Sequence, residues 1–313
     1  MRWLMIGPRR LAVSLAAAWM SVALVGCASS PQQRPVSASL PASARAVVSA
    51  PVRVAHTRLG TVGYRIVGTG PPLILITGYT ATINNWDPRF VGALAEHYRV
   101  VMFDNAGVGR TQALPAPLTI DAMANQTSAL IHTLGLDKPD VLGWSMGGTI
   151  AQALAVLHPA QVRRLVLCAT FPGTGKITPP AQAAAQALTS GNRQEVMADL
   201  FPASQASAQQ AYLVAIAAYP PHAAAPAATI AAQGHAVNVW QGGSDPAGQQ
   251  TASISAPTLI ADGTSDRLDP VANDYALAQL IAGASLKLFP DAGHAFLFQD
   301  EKAFVPLIDS FLR

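Results

Sequence analysis

Three residues, set far apart in a chain of 313, have the types needed for nucleophilic acyl chemistry: Ser145, Asp266 and His294. Ser145 is the centre of Gly143-Trp144-Ser145-Met146-Gly147, behind the apolar pair Val141-Leu142 and ahead of a helical period through Ile150, Leu154 and Leu157. A serine at the tip of a sharp strand-to-helix turn takes strained backbone angles, so the residues two positions away must be small. Gly143 and Gly147 meet that need, and Gly148 adds a close approach of helix to sheet. A serine hydroxyl is a weak nucleophile; it needs a base, and the base needs a group to orient it. His294, in Asp291-Ala292-Gly293-His294-Ala295, follows the last apolar run, and Asp266, in Gly263-Thr264-Ser265-Asp266-Arg267, follows the run before it. Both therefore fall at carboxyl ends of strands, where open α/β sheets place their sites, in the chain order Ser…Asp…His. Asp269 is a rival to Asp266, but it precedes Pro270 and reads as a helix N-cap. Asp291 is too close to His294 in sequence to orient it.

The elements that must carry these residues follow from hydrophobic periodicity. Val52–Leu59 and Thr61–Val67 read as an antiparallel pair turning at Gly60. Leu73–Ile76, Val100–Phe103, Val141–Leu142, Leu165–Ala169, Pro257–Ala261 and Ser285–Phe289 are short apolar runs, as expected of strands covered on both faces. Between them, apolar residues recur at helical spacing, for example Ile120, Met123, Thr127, Leu130, Ile131 and Leu134. This alternation predicts an α/β fold with a doubly wound, mostly parallel sheet. Residues 173–250, rich in Ala, Gln and Pro, break the alternation and predict an inserted helical cap. The expected organisation is a leader over 1–26, a flexible tether over 27–50, core over 51–172, cap over 173–250 and core again over 251–313.

From Pro51 to Arg313 the sequence resembles the α/β-hydrolase family, on four motifs in order: the loop after Leu73–Ile76, the turn Asp104–Thr111, the elbow at Ser145, and the Asp266 and His294 loops. The resemblance implies a serine hydrolase acting on an ester, lactone or related acyl bond without cofactor or metal. It also implies an oxyanion hole made by the backbone N–H groups of Met146 and Tyr79. Two departures stand out. Many members have His-Gly where this chain has Thr77-Gly78, and Arg is common where this chain has Ala106. Relatives of this fold that use Asp as nucleophile, the dehalogenases and epoxide hydrolases, are set aside by Ser145. Carbon–carbon bond hydrolysis and cofactor-free perhydrolysis remain alternatives, as does a non-catalytic envelope binding protein.

Arg2, Arg9 and Arg10 precede an apolar stretch, Leu11–Gly26, shorter than the roughly 20 residues that span a bilayer. It ends in Leu24-Val25-Gly26-Cys27, which resembles a bacterial lipoprotein cleavage box with Cys27 as the lipid-bearing residue. The expected location is thus the cell envelope, with a membrane partner reached through a lipid anchor. Cys168, the other cysteine, lies in an apolar run and reads as a buried small hydrophobe. The net charge of +3 is matched by the three leader arginines, and no Lys/Arg stripe follows residue 66, so no nucleic-acid partner is expected. No Cys/His metal spacing occurs. Residues 173–250 carry few full charges, which suggests a neutral, apolar acyl substrate.

Overall fold

The computed structural model describes residues 40–190 and 192–313. Eight strands form one sheet: β1 (Arg53–Thr57), β2 (Gly60–Val67), β3 (Pro72–Ile76), β4 (Arg99–Phe103), β5 (Asp140–Trp144), β6 (Leu165–Cys168), β7 (Thr258–Gly263) and β8 (Ser285–Phe289). Their order is β1-β2-β4-β3-β5-β6-β7-β8. The β1–β2 and β2–β4 pairs are antiparallel, and every later pair is parallel. The expected sheet is therefore present, with the antiparallel pair and all six apolar runs in it.

Side chains alternate across a strand. Leu73 and Leu75 enter one core cluster with Val100 and Met102; Ile74 and Ile76 enter the other with Val101 and Phe103. The buried positions of both strands are all apolar because both faces are covered.

The helices are α1 (Ala42–Ser49), α2 (Pro88–Leu94), α3 (Ile120–Thr133), α4 (Met146–Leu157), α5 (Gln182–Ser190), α6 (Arg193–Leu200), α7 (Ala206–Ile216), α8 (Ala227–Gln241), α9 (Ala272–Leu280), α10 (Phe296–Gln299) and α11 (Glu301–Leu312). Helices α5 to α8 lie between β6 and β7 in sequence, within the stretch where the alternation stops.

One expectation is corrected. The tether reading of 27–50 fails over its last third, because Ala42–Ser49 is helical and packs on α2. Ala44 and Val47, three residues apart, share one face and are fully buried. A Cβ on Gly92 would meet the Ala44 nitrogen at 2.8 Å, so the two helices approach without an intervening side chain. Alanine and valine at helical spacing outweigh the Ser/Pro-rich composition around them. The leader over 1–26, Cys27 and the remainder of the tether to residue 39 lie outside the described residues. Among the described residues no helix is long and apolar enough to cross a membrane.

Candidate active site

Strand β5 ends at Trp144 and helix α4 begins at Met146, so Ser145 alone makes the turn. Its φ of 59° and ψ of −126° lie where a side chain is strained. The surrounding glycines make the turn possible. A Cβ on Gly143 would sit 2.3 Å from the Gly147 carbonyl oxygen, and one on Gly147 would sit 2.0 Å from that of Ile76. A Cβ on Gly148 would strike Thr170 at 2.6 Å. The elbow glycines thus hold the start of α4 against the sheet. Thr170 also donates its hydroxyl to the Ser145 carbonyl at 2.9 Å.

His294 is buried, with Nδ1 donating to Asp266 Oδ2 at 2.6 Å. The other carboxylate oxygen, Oδ1, accepts the N–H groups of Leu268 at 2.7 Å and Asp269 at 2.8 Å. Asp266 is therefore fixed by its own loop and presents one oxygen to the imidazole. Trp144 adds a second restraint, donating its indole N–H to the His294 backbone carbonyl at 2.8 Å. Its ring lies 5.8 Å from the imidazole. Asp269 has a different partner, accepting from Asn273 Nδ2 at 2.7 Å. It is not the cap of α9 either; Val271 holds that position. Asp291 accepts from Ser204 and Gln205 and not from the imidazole.

Ser145 and His294 together line two adjoining cavities, of about 340 and 200 Å³. Tyr79 lines both, and Met146 lines the smaller. The Met146 N–H opens α4, where first-turn N–H groups have no acceptor within the helix and the helix dipole favours negative charge. The Tyr79 N–H has no acceptor among the described residues. Gly78 lies against Ser145; a Cβ there would approach Ser145 Cβ to 3.2 Å. The smaller cavity is walled by Phe171, Leu188, Val237 and Leu268. The site can therefore offer a hydroxyl, an oriented imidazole, two candidate N–H donors and an apolar wall.

Behind Asp266 lies a group that sequence reasoning did not identify. Asp262, Asp269 and Asp274 are buried, with carboxylate oxygens within 4.8 Å of one another. Burial, reinforced by the neighbouring carboxylates, pushes the Asp262 and Asp269 carboxyls well above the usual range. Asp274 is pushed up to about 8, chiefly by burial. These shifts favour the neutral acids and so lessen the negative charge beside the His294–Asp266 pair. They are also the described carboxylates close enough to share a cation. The Cys168 thiol, free and buried, is likewise raised by burial.

The chain is 29% identical to a pimeloyl-[acyl-carrier protein] methyl ester esterase of Pseudoalteromonas atlantica, over 82% of this chain and 100% of that one. A Mycobacterium tuberculosis protein named as a non-heme bromoperoxidase is 42% identical, but over 104 residues, which are 33% of this chain and 39% of that relative's length. The fold superposes on an alpha/beta hydrolase fold protein from Chitinophaga pinensis with a TM-score of 0.73 and 27% identity, covering 85% of this chain and 98% of that one. Residues 71–301 match the family described as the alpha/beta hydrolase fold, a span that contains the elbow and the Asp266 and His294 loops. The sheet, the elbow and this match lead to one conclusion: the chain belongs to the α/β-hydrolase fold family.

Proposed function

We propose that this protein is a serine hydrolase that cleaves a carboxylic ester or lactone through an acyl-enzyme on Ser145. The observation that carries the reading is the 2.6 Å His294–Asp266 pair at the cavity that Ser145 lines. In this mechanism His294 Nε2 takes the Ser145 proton as Oγ attacks the substrate carbonyl. The Met146 and Tyr79 N–H groups hold the resulting oxyanion. The imidazolium, steadied by Asp266, gives its proton to the leaving alkoxide as the carbon–oxygen bond breaks. Water, deprotonated by the same imidazole, then attacks the acyl-enzyme and releases the acid. A fluorophosphonate probe should label Ser145 stoichiometrically; an unlabelled Ser145 in folded protein would remove the reading.

The apolar wall of the smaller cavity supports a neutral acyl group of short to medium length. Each added methylene that becomes buried is expected to raise kcat/KM roughly fourfold, the equivalent of about 0.8 kcal/mol, until the cavity is full. A series of p-nitrophenyl esters, with matched anionic esters beside it, measures this. A flat response to chain length, or faster turnover of the anionic members, would contradict the apolar reading.

The proposed location is the cell envelope, with the protein tethered through lipid on Cys27. Cys27→Ser is expected to shift the protein out of the membrane fraction or to leave its leader uncleaved. Membrane retention equal to wild type, with normal processing, would rule out lipid at this residue.

A further inference from the structure

The loop that carries the Tyr79 N–H is held by a side chain from the inserted helices. Gln233, on α8, is fully buried. Its Oε1 accepts the Thr80 N–H at 2.8 Å, and its Nε2 donates to the Ala106 carbonyl at 3.1 Å. Thr80 needs the help, because its φ of 56° is a left-handed conformation that a β-branched residue disfavours. The same helix makes two more bonds to this region. The Tyr79 hydroxyl donates to the Ile230 carbonyl at 2.9 Å, and the Thr229 hydroxyl donates to the Gly107 carbonyl at 3.0 Å. Gly234 leaves room for the tyrosine; a Cβ there would come within 3.3 Å of its hydroxyl. From the sheet side, Asn105 Nδ2 donates to the Thr77 carbonyl at 2.8 Å. The Thr77 hydroxyl itself is buried without a partner.

These are the two places where the sequence departs from the family pattern, Thr77 in one loop and Ala106 in the other. Gln233 joins both loops. We propose that Gln233 is a positioning residue for the oxyanion hole, a cap side chain that fixes the Tyr79 N–H by holding Thr80 against the 104–111 turn. The inference rests on the serine-hydrolase reading above. Its physical basis is that one amide satisfies a strained N–H and a buried carbonyl at once. Removing it leaves both unpaired and frees the peptide next to the one that carries the donor. It also ties α8, whose Val237 walls the smaller cavity, to the catalytic loop.

The test is Gln233→Met, close in volume but unable to make either bond. A misplaced donor should lower kcat about 10- to 100-fold while KM for a p-nitrophenyl ester stays within about threefold. The inhibition constant of a trifluoromethyl ketone, whose adduct puts an oxyanion at the same N–H groups, should rise by the same factor as kcat/KM falls. Thr229→Val removes a bond between α8 and the same turn without touching Thr80, and should leave kcat within about twofold. Gln233→Glu keeps the acceptor for Thr80 and should lose less than Gln233→Met, which preserves the comparison if the methionine variant folds poorly. A lowered Tm with unchanged kcat, a rise in KM alone, or an equal loss in Thr229→Val would overturn the assignment. Turnover that survives Ser145→Ala would instead remove the serine-hydrolase reading beneath it.

Discussion

Replacing Ser145 with alanine is expected to cut kcat roughly 10³-fold or more for any ester the wild type hydrolyses, with the fold intact. The fold should survive for two reasons. Alanine keeps the Cβ, so the strain at φ 59° is unchanged. The Ser145 hydroxyl also holds no described partner, so its loss orphans no buried donor or acceptor. What is lost is the atom proposed to form the acyl-enzyme. The substrate still meets the candidate oxyanion donors, and a residual rate above that in water is expected from them. Thermal melting checks the fold, and kcat on the best p-nitrophenyl ester checks the chemistry. A variant that melts like wild type and retains activity within about tenfold would exclude Ser145 as nucleophile.

The parts of this site that were legible in the sequence are those set by local chemistry. The elbow could be read because the steric demand falls two residues either side of Ser145, and Gly143 and Gly147 meet it in an unbroken run. The strands could be read because a chain buried on both faces must be apolar at every position, as Leu73–Ile76 is. Helix α1 was lost because composition averages over a window, whereas Ala44 and Val47 need only share a face. The strap from α8 was invisible for another reason. Gln233 lies 153 positions from Thr80, and a glutamine among alanines carries no sign of which backbone groups it will meet. The buried acids Asp262 and Asp274 were missed similarly, since a carboxyl in a strand or helix ordinarily faces water. Departures such as Thr77 and Ala106 marked where a compensating contact was needed, but not the element that supplies it.

Asp266→Asn is expected to lower kcat by roughly 10³- to 10⁴-fold, whereas Asp269→Asn should leave it within about threefold. The reason lies in how Asp266 is held. Two N–H groups, from Leu268 and Asp269, point at Oδ1. An asparagine must turn its carbonyl to them, which leaves its NH₂ facing His294 Nδ1. Nδ1 must then accept rather than donate, so the neutral imidazole carries its proton on Nε2 and cannot take one from Ser145. The imidazolium formed in the reaction also loses its carboxylate. Asp269 is in the opposite position. Its carboxyl, raised by burial and the neighbouring carboxylates, accepts from Asn273 rather than from His294. An amide there nearly keeps the shape and can keep the acceptor toward Asn273. The two variants thus differ by one loop turn in sequence and by about three orders of magnitude in expected rate. Matched Tm values separate chemistry from unfolding. Should Asp269→Asn prove the damaging change while Asp266→Asn stays active, the imidazole would be oriented by a different acid from the one it touches here.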